Sequence, residues 1–342
     1  MIYGEADEQY KRVWDYAETV IKYNVASSVI VQLGNTENPP IVFKRMYMCL
    51  DACKKGFITG CRPILGVNGC NLKGPYPGQL FTTVGKDANY NIYLVAWAIV
   101  EVENKDSWTW FLELLMKDIE PVDDKITFML DRQKGLVEAF ITVVPNAEIR
   151  FCCRHIWSNF KLTYTGEAFK QVFWKIARAY TKAEFEQHME ELKFISAGAH
   201  AYLSELPTKH WCRQDFSNKC KSAMMLNNCY ESFNNALRKC RDKHVLSIME
   251  WIRRYCMKRT YSKWEGGDKV KGNLMPAIEK QLKIIAKESR RCEVIQSNLL
   301  ELEFEVKVNP TRDRFTVNLE KKECNCNKWN LTGIPCYTLM HV

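Results

Sequence analysis

The sequence predicts an α/β fold in which a mixed β-sheet is flanked by helices. Residues 79–87 and 92–103 are rich in β-branched and aromatic side chains, and the polar stretch DANYN separates them, a pattern typical of a β-hairpin. After this hairpin, helical and strand patterns alternate from residue 106 to residue 157. Strands separated by helices are expected to join the hairpin in one sheet with helices on its faces.

The other elements of the first half follow from shorter patterns. Tyr10, Val13, Trp14 and Ala17 recur at helical spacing, so residues 1–34 are expected to be helical and then extended. The remaining predictions are a strand entering a polar turn at 63–72, a helix with an Asp–Ser cap at 106–119, a strand at 125–131, a helix at 133–144, and a strand passing into a helix at 147–157.

The second half is predicted to be mainly helical until its C-terminal end. Residues 158–226 contain no convincing strand and suggest a helical insertion. Helices are predicted at 227–241, at 248–259 and at about 275–291, and the alternating stretch from Glu303 to Cys326 predicts a small β-hairpin.

Composition limits the classes of protein. The chain has 342 residues, of which 46% are hydrophobic and 26% charged, the balance of a folded globular protein. It has no apolar run long enough to cross a membrane and no secretory signal, so no membrane partner is expected. Its fifteen cysteines are odd in number and scattered, which argues against a disulfide framework and for reduced, mostly buried thiols.

Positive charge is concentrated in one segment. From Arg238 to Arg291 there are 16 Lys and Arg residues against 6 Asp and Glu, whereas the net charge of the whole chain is +9. Such a segment predicts a nucleic-acid partner, with a solvated basic surface as the alternative. Aromatic residues within it (Trp251, Tyr255, Tyr261, Trp264) suit stacking. The candidate nucleic-acid-binding residues are Arg238, Arg241, Arg253, Arg254, Lys258 and Arg259.

Four segments carry a resemblance to a known family. Residues 60–115, 126–160 and 226–254 resemble the core of plant Mutator-like element (MULE) transposases, and CNCNKWNLTGIPC at 324–336 resembles the SWIM zinc finger that follows this core. The resemblance implies an RNase-H-like sheet with a DDE triad, which cuts and joins transposon ends in DNA recombination. It also implies two Mg²⁺ or Mn²⁺ ions held by the acidic residues, because hard cations prefer carboxylate oxygens.

The domain organisation follows from the resemblance and from these patterns. We predict an N-terminal helical and extended segment (1–59), the first part of the RNase-H-like core (60–160), a helical insertion (161–226), the final core helix with basic helices (227–292), and a truncated SWIM-type finger (300–342).

The resemblance assigns the triad residue by residue. Its first acid falls on Asn68 in GVNGC, its second on Asp131 in MLDRQKG and its third on Glu231 in NNCYESFN. Cys152 and His155 in FCCRH match the CxxH element of the family. From the residues alone, Asp131 is also compatible with a strand-end cap, Glu231 with a solvated helix face, and the Cys–His pair with a buried thiol and a hydrogen-bonded histidine.

Asn68 departs from the family pattern and bears directly on activity. An amide oxygen brings no negative charge, so we expect a weakened metal pair and an inactive, DNA-binding transposase remnant. Two alternatives stay open: an active metal-dependent transposase that tolerates Asn68, helped by Asp87 if the end of the second strand brings it close, and a domesticated transcriptional regulator. The N-terminal DNA-binding module of full-length relatives is not recognisable in this chain, which fits a remnant.

The C-terminal cysteines predict a zinc site that departs from the pattern in one ligand. Cys324, Cys326 and Cys336 supply three thiolates, but Thr338 stands where the family has a histidine. His341 or water is left as the fourth ligand. With DNA as the partner, either transposon terminal repeats or non-specific sequence, we expect a nuclear protein. The sequence leaves a homo-oligomer open.

Overall fold

The computed structural model describes residues 5–34, 42–120, 126–298 and 302–342, without the side chains of residues 228–231 and 296–297. The chain forms two compact units. Unit 1 comprises Met1–Glu148 and Asn227–Lys271, and unit 2 comprises Ile149–Leu226 and Gly272–Val342.

Helices and strands alternate in the first half of the chain, and helices dominate its middle. The helices are α1 (Ala6–Lys11), α2 (Val13–Tyr23), α3 (Asp51–Gly60), α4 (Lys105–Ile119), α5 (Lys134–Val143), α6 (Cys153–Phe160), α7 (Glu167–Arg178), α8 (Lys182–Ile195), α9 (Ala197–Ser204), α10 (Asn228–Leu237), α11 (Val245–Asp268), α12 (Pro276–Ser289) and α13 (Lys328–Thr332). The strands are β1 (Ser28–Leu33), β2 (Phe43–Cys49), β3 (Ile64–Asn71), β4 (Gln79–Lys86), β5 (Ile92–Val100), β6 (Thr127–Leu130), β7 (Glu148–Phe151), β8 (Cys292–Asn298), β9 (Glu303–Val308), β10 (Asp313–Asn318) and β11 (Glu323–Cys324).

The predicted mixed sheet flanked by helices is confirmed. Seven strands pair in the order β1-β2-β5-β4-β3-β6-β7. The pairs β3–β4 and β4–β5 are antiparallel, whereas β3 and β6 are parallel. Strand β5 therefore runs in the same direction as β3 and β6, and the carboxyl ends of these three strands lie at one edge of the sheet. This edge is called the carboxyl edge below.

Aromatic packing fixes helix α4 against the sheet. The Phe81 ring on β4 stacks on the Trp108 ring of α4 with centroids 3.6 Å apart, and both side chains are fully buried. Burying side chains of this size stabilises the fold by roughly 1.5–3 kcal/mol each. The helix cap lies two residues before the predicted Asp–Ser cap, because Asn104 and Ser107 form a reciprocal capping box.

Unit 2 combines a helical layer with a small sheet. Its helical core includes Phe160, Phe173 and Trp211, all essentially buried. The C-terminal strands form an antiparallel sheet in the order β11-β10-β9-β8. The predicted hairpin is its β9–β10 pair, and β8 is an additional strand that the sequence reading assigned to no element. In the part of the chain that is described, no helix has the length and apolarity needed to cross a membrane.

Candidate functional site

Asn68 lies inside strand β3 and not at its end, so the predicted polar turn after it is wrong. It pairs with Thr82, and the strand continues to Asn71 because its last polar residues also pair with β4. On the other side of β3, Gly66 pairs with Met129 of β6. Carried two residues further, this parallel register aligns Asn68 with Asp131, the first residue after β6.

Backbone amides donate hydrogen bonds to a side-chain oxygen of Asn68 and of Asp131. The Asn68 Oδ1 atom accepts a hydrogen bond from the Gly69 amide at 2.7 Å. The Asp131 Oδ1 atom accepts one from the Gln133 amide at 3.2 Å, just before α5 begins. The strand-end cap foreseen as an alternative for Asp131 is therefore present.

Helix α10 begins over the face of β3 that Asn68 shares. A Cβ atom on Gly66 would lie 2.5 Å from the Oδ1 atom of Asn227, the residue that precedes α10. Asn68 is two residues after Gly66 and projects to the same face. Glu231 follows Asn227 by four residues, about one helical turn. Its backbone belongs to α10, and its side chain lies outside the described residues.

Glu103 is a carboxylate at the carboxyl edge that the sequence reading missed. It follows β5 by three residues, and its Oε1 atom lies 3.2 Å from where a Cβ of Gly69 would be. Burial raises the pKa of Glu103, and the negative charge of Asp131 raises it further. Gly69 projects to the face of β3 opposite Asn68, so Glu103 contacts that opposite face. The sequence signal that could have identified Glu103 is its position just after β5, a strand parallel to β3.

Asp87 cannot compensate for Asn68. It follows β4, which runs antiparallel to β3, and it bridges to Cys61 at the opposite edge of the sheet. Five residues separate Asp87 from Thr82, the partner of Asn68, which corresponds to roughly 15 Å along the strand. Its carboxylate instead accepts hydrogen bonds from the amides of Asn89 and Asn91 and stabilises the hairpin turn.

Two observations test whether the carboxyl edge suits a pair of Mg²⁺ or Mn²⁺ ions. Asn68 contributes an amide oxygen without charge, and that oxygen already accepts a backbone hydrogen bond. Among the described side chains, no three carboxylate, histidine or cysteine ligands converge at this edge. Among the described side chains, this edge therefore supplies one carboxylate of the implied triad, Asp131, beside the neutral amide of Asn68.

Cys152 and His155 lie at the start of α6 in unit 2. Cys152 precedes the helix and is 1% exposed, and its carbonyl oxygen accepts a hydrogen bond from the His155 amide at 3.0 Å. Neither residue belongs to a group of three potential metal ligands in the described ranges.

The three C-terminal cysteines converge. Cys324 on β11, Cys326 in the following turn and Cys336 after α13 are buried, and their sulfur atoms lie within 4.8 Å of one another. Asn327 and Gly333 adopt left-handed backbone conformations on either side of α13, which turn the chain so that Cys336 returns to the pair. The Cys326 amide also donates a hydrogen bond to the Cys324 sulfur at 3.4 Å. This soft donor set fits zinc.

Thr338 closes the cysteine cluster. Its side chain is fully buried, and its Oγ1 atom lies 3.3 Å from the Cys324 sulfur and 2.9 Å from the Cys336 sulfur. Hydrogen bonds from the Cys324 and Cys326 thiols lower the pKa of Cys336, so the cluster stabilises a thiolate. His341 is exposed in the final 3₁₀ turn and is not one of the converging residues.

The predicted DNA-binding residues divide into two groups. On α11, Arg253 and Arg254 form ion pairs with Glu250 at 2.7 and 2.5 Å, and the Arg259 Nε atom donates to the carbonyl of Ile92 at 3.2 Å. Lys258 on the same helix is exposed. Before α11, Arg238 is exposed, whereas the Arg241 guanidinium lies beside the Cys70 thiol of β3.

Comparison with known families agrees with the positions of these sites. Residues 64–159 match the model of the MULE transposase domain, which spans β3 to α6 and includes Asn68 and Asp131. Residues 305–337 match the model of the SWIM zinc finger and include all three converging cysteines. No curated protein matches the chain at a significant level. The chain therefore carries a MULE transposase domain and, near its C-terminus, a SWIM zinc finger.

Proposed function

We propose that this transposase-derived protein binds DNA, holds zinc in its C-terminal finger and does not cut DNA. The observation that carries the proposal is Asn68 in strand β3, beside Asp131 in the extended register, where the resemblance implies the first of two neighbouring acids. A neutral amide at this position removes charge that a divalent cation needs. An RNase-H-like core is the arrangement that the resemblance implies for this sheet.

Cleavage is the direct test of the proposed inactivity. Full-length protein is incubated with Mg²⁺ or Mn²⁺ and with duplex DNA carrying terminal repeats, and nicking is measured on a denaturing gel. We expect no nicking by the unmodified chain, and a gain of activity in Asn68→Asp only if Asp131 and Glu231 complete the site. The matched control is Asn71→Asp, which adds the same charge at the exposed end of the same strand.

The opposite outcome is equally clear. If the unmodified chain nicks DNA as fast as Asn68→Asp does, and if Asp131→Asn abolishes that nicking, the protein is an active transposase and the proposed inactivity is wrong.

DNA binding is proposed from the positive charge of α11 and its flanks. Glu250 neutralises part of this charge through Arg253 and Arg254, which leaves Lys258 as an exposed cation for phosphate contacts. Tyr261 and Trp264 are 59% and 66% exposed on the same helix and offer rings for stacking. A nuclear location is expected because DNA is the proposed partner.

The salt dependence of DNA affinity tests this part of the proposal. Fluorescence anisotropy with a labelled duplex should show affinity falling steeply as salt rises, and Lys258→Gln should reduce the slope of log K against log salt by about 0.9. Lys182→Gln, an exposed lysine on α8, is the charge-matched control. Affinity that stays constant between about 50 and 200 mM salt would reject DNA binding through phosphate contacts.

The cysteine cluster supports zinc binding. Cys324, Cys326 and Cys336 would hold the ion, which would tie β11 to the chain after α13. One equivalent of zinc taken up in competition with a chromophoric chelator is expected, and no uptake in the Cys336→Ser variant.

A further inference from the structure

We propose a second DNA-contacting surface in unit 2, a groove that binds the phosphodiester backbone and that depends on zinc in the C-terminal finger. The groove has a volume of about 810 Å³. Helix α7 lines it together with Glu184 and His188 of α8, Arg213 and Lys328. It lies outside the basic segment 238–291, and the proposal rests on the DNA binding proposed above.

Three cations of this groove lie over aromatic rings. Arg178 lies 5.2 Å from the ring centroid of Trp174, and Arg213 and Lys328 lie 5.0 and 5.6 Å from that of Tyr180. The carbonyl of Ala223 accepts a hydrogen bond from the Arg213 Nε atom at 3.0 Å. Cations that are held in this way are already ordered before a ligand binds, which reduces the entropy lost on binding.

The acidic residues at the groove are engaged by other groups. Glu184 accepts hydrogen bonds from the amides of Tyr180 and Thr181 at 2.8 and 3.3 Å, as part of the α8 capping box. Glu167 pairs with Lys170 at 3.2 Å, and the adjacent Glu191 pairs with Lys175 at 2.9 Å.

Arg178, Arg213 and Lys328 remain without an ion-pair partner among the described residues. Three cations whose acidic neighbours are engaged in other hydrogen bonds or ion pairs favour a polyanion, and guanidinium groups match phosphate oxygens in geometry. We assign the groove to the backbone of duplex DNA.

The groove is joined to the finger by two consecutive residues. Asn327 donates a side-chain hydrogen bond to the carbonyl of Tyr180 at 3.1 Å, and Lys328 contacts the rings of both Tyr180 and Tyr337. These residues follow Cys326 directly, and Tyr337 follows Cys336. We expect zinc bound by the cysteines to hold Lys328 in the groove and loss of zinc to release it.

The experiment measures duplex affinity against salt concentration for the full chain, with and without zinc. We expect the double variant Arg178→Gln, Arg213→Gln to lose affinity roughly tenfold and to lower the salt slope by about two. Removing zinc with a chelator should lower the slope of the unmodified chain by about one, as Lys328 leaves the groove. Lys182→Gln, on α8 but outside the groove, controls for a general loss of charge.

Further variants keep each outcome decisive. Arg213→Lys retains the charge and should restore most of the slope, which separates a phosphate contact from a folding defect. If Lys258→Gln lowers the slope but the double variant does not, the groove proposal is overturned and DNA binding through α11 stands. If no variant and no salt change affects binding, both proposals fail. If an acidic peptide binds the groove and duplex DNA does not compete with it, the assignment of the groove to DNA is also overturned.

Discussion

The hydroxyl of Thr338 lies 2.9 Å from the sulfur of Cys336, inside the cysteine cluster of the C-terminal finger. The resemblance to SWIM fingers implies a histidine at this position, and structural zinc is held by cysteine and histidine, not by threonine. We therefore expect Thr338→His to tighten zinc binding by at least about tenfold, because changes in weaker outer contacts already alter metal affinity about 10- to 100-fold.

Competition with a chromophoric chelator measures this affinity. His341→Ala is the informative comparison, because His341 is exposed and apart from the converging sulfur atoms. Equal affinity in His341→Ala and the unmodified chain is expected. If His341→Ala loses zinc instead, the final turn supplies the fourth ligand and the role given to position 338 is wrong.

Glu250→Gln is expected to destabilise unit 1 at neutral pH. Burial raises the pKa of Glu250, but hydrogen bonds from Arg253 and Arg254 outweigh it and lower the pKa from 4.5 to about 2. Because the pKa of Glu250 is lower in the folded state than in the unfolded state, its ionised form stabilises the fold. This stabilisation is complete above about pH 4.5 and is lost as the pH falls toward 2. The variant should therefore lose about 1–3 kcal/mol at pH 7 and progressively less below pH 4.5.

Urea denaturation across this pH range measures the effect. Glu265→Gln, farther along α11 and exposed, should change stability little at any pH. If both variants change stability alike, the ion pairs of Glu250 with Arg253 and Arg254 do not stabilise unit 1. In the DNA assay, Glu250→Gln should strengthen binding, since it releases two arginines.

Glu103→Gln is expected to stabilise the protein at neutral pH, whereas Glu250→Gln is expected to destabilise it. Burial and the charge of Asp131 raise the pKa of Glu103, so the folded state holds its proton more tightly than the unfolded state does. Its ionisation therefore lowers stability as the pH rises through these pKa values. The neutral variant should be more stable than the unmodified chain at pH 7, and the difference should disappear in acid.

The same denaturation experiment, repeated at pH 7 and in acid, decides the case. Glu113→Gln on the exposed side of α4 provides the comparison. A Glu103→Gln variant that is less stable at pH 7 would show that its hydrogen bond from Trp108 matters more than the repulsion.

Gly66→Ala is expected to displace the start of α10. The new methyl group would lie 2.5 Å from the Asn227 Oδ1 atom, and Asn227 is only 3% exposed. Overpacking of this kind costs about 1–3 kcal/mol. Gly60→Ala, whose Cβ would meet nothing within 4 Å, should be neutral or stabilising in thermal unfolding. Equal stability of the two variants would refute close packing at Gly66.

Most of the sheet was predictable because its signals are local. Strands β4 and β5 and the turn between them follow from a period of two and a polar break. The extent of β3 did not follow, because the polar residues from Asn68 to Asn71 resemble a turn until β4 pairs with them. Strand β8 was missed because it directly follows the basic helices.

The candidate sites show the same division. The convergence of Cys324, Cys326 and Cys336 was expected from their spacing and the resemblance. The ion pairs of Arg253 and Arg254 with Glu250 follow from their spacing of three and four residues on α11, but the exposure of each arginine does not. The sequence left Asp87 open as a substitute for the missing acid because it does not give the direction of β4. Since β4 runs antiparallel to β3, Asp87 lies at the opposite edge of the sheet.

The sequence by itself determined which chemical groups are present: a neutral amide at Asn68, three thiols in the finger, and Thr338 in the expected place of a histidine. Only the tertiary structure decided which groups meet. Strand direction set Asn68 beside Asp131 and Asp87 at the far edge, and alternation of side chains put Glu103 on the other face. Both depend on pairing between distant segments, because local periodicity carries no information about the edge or the partner of a strand.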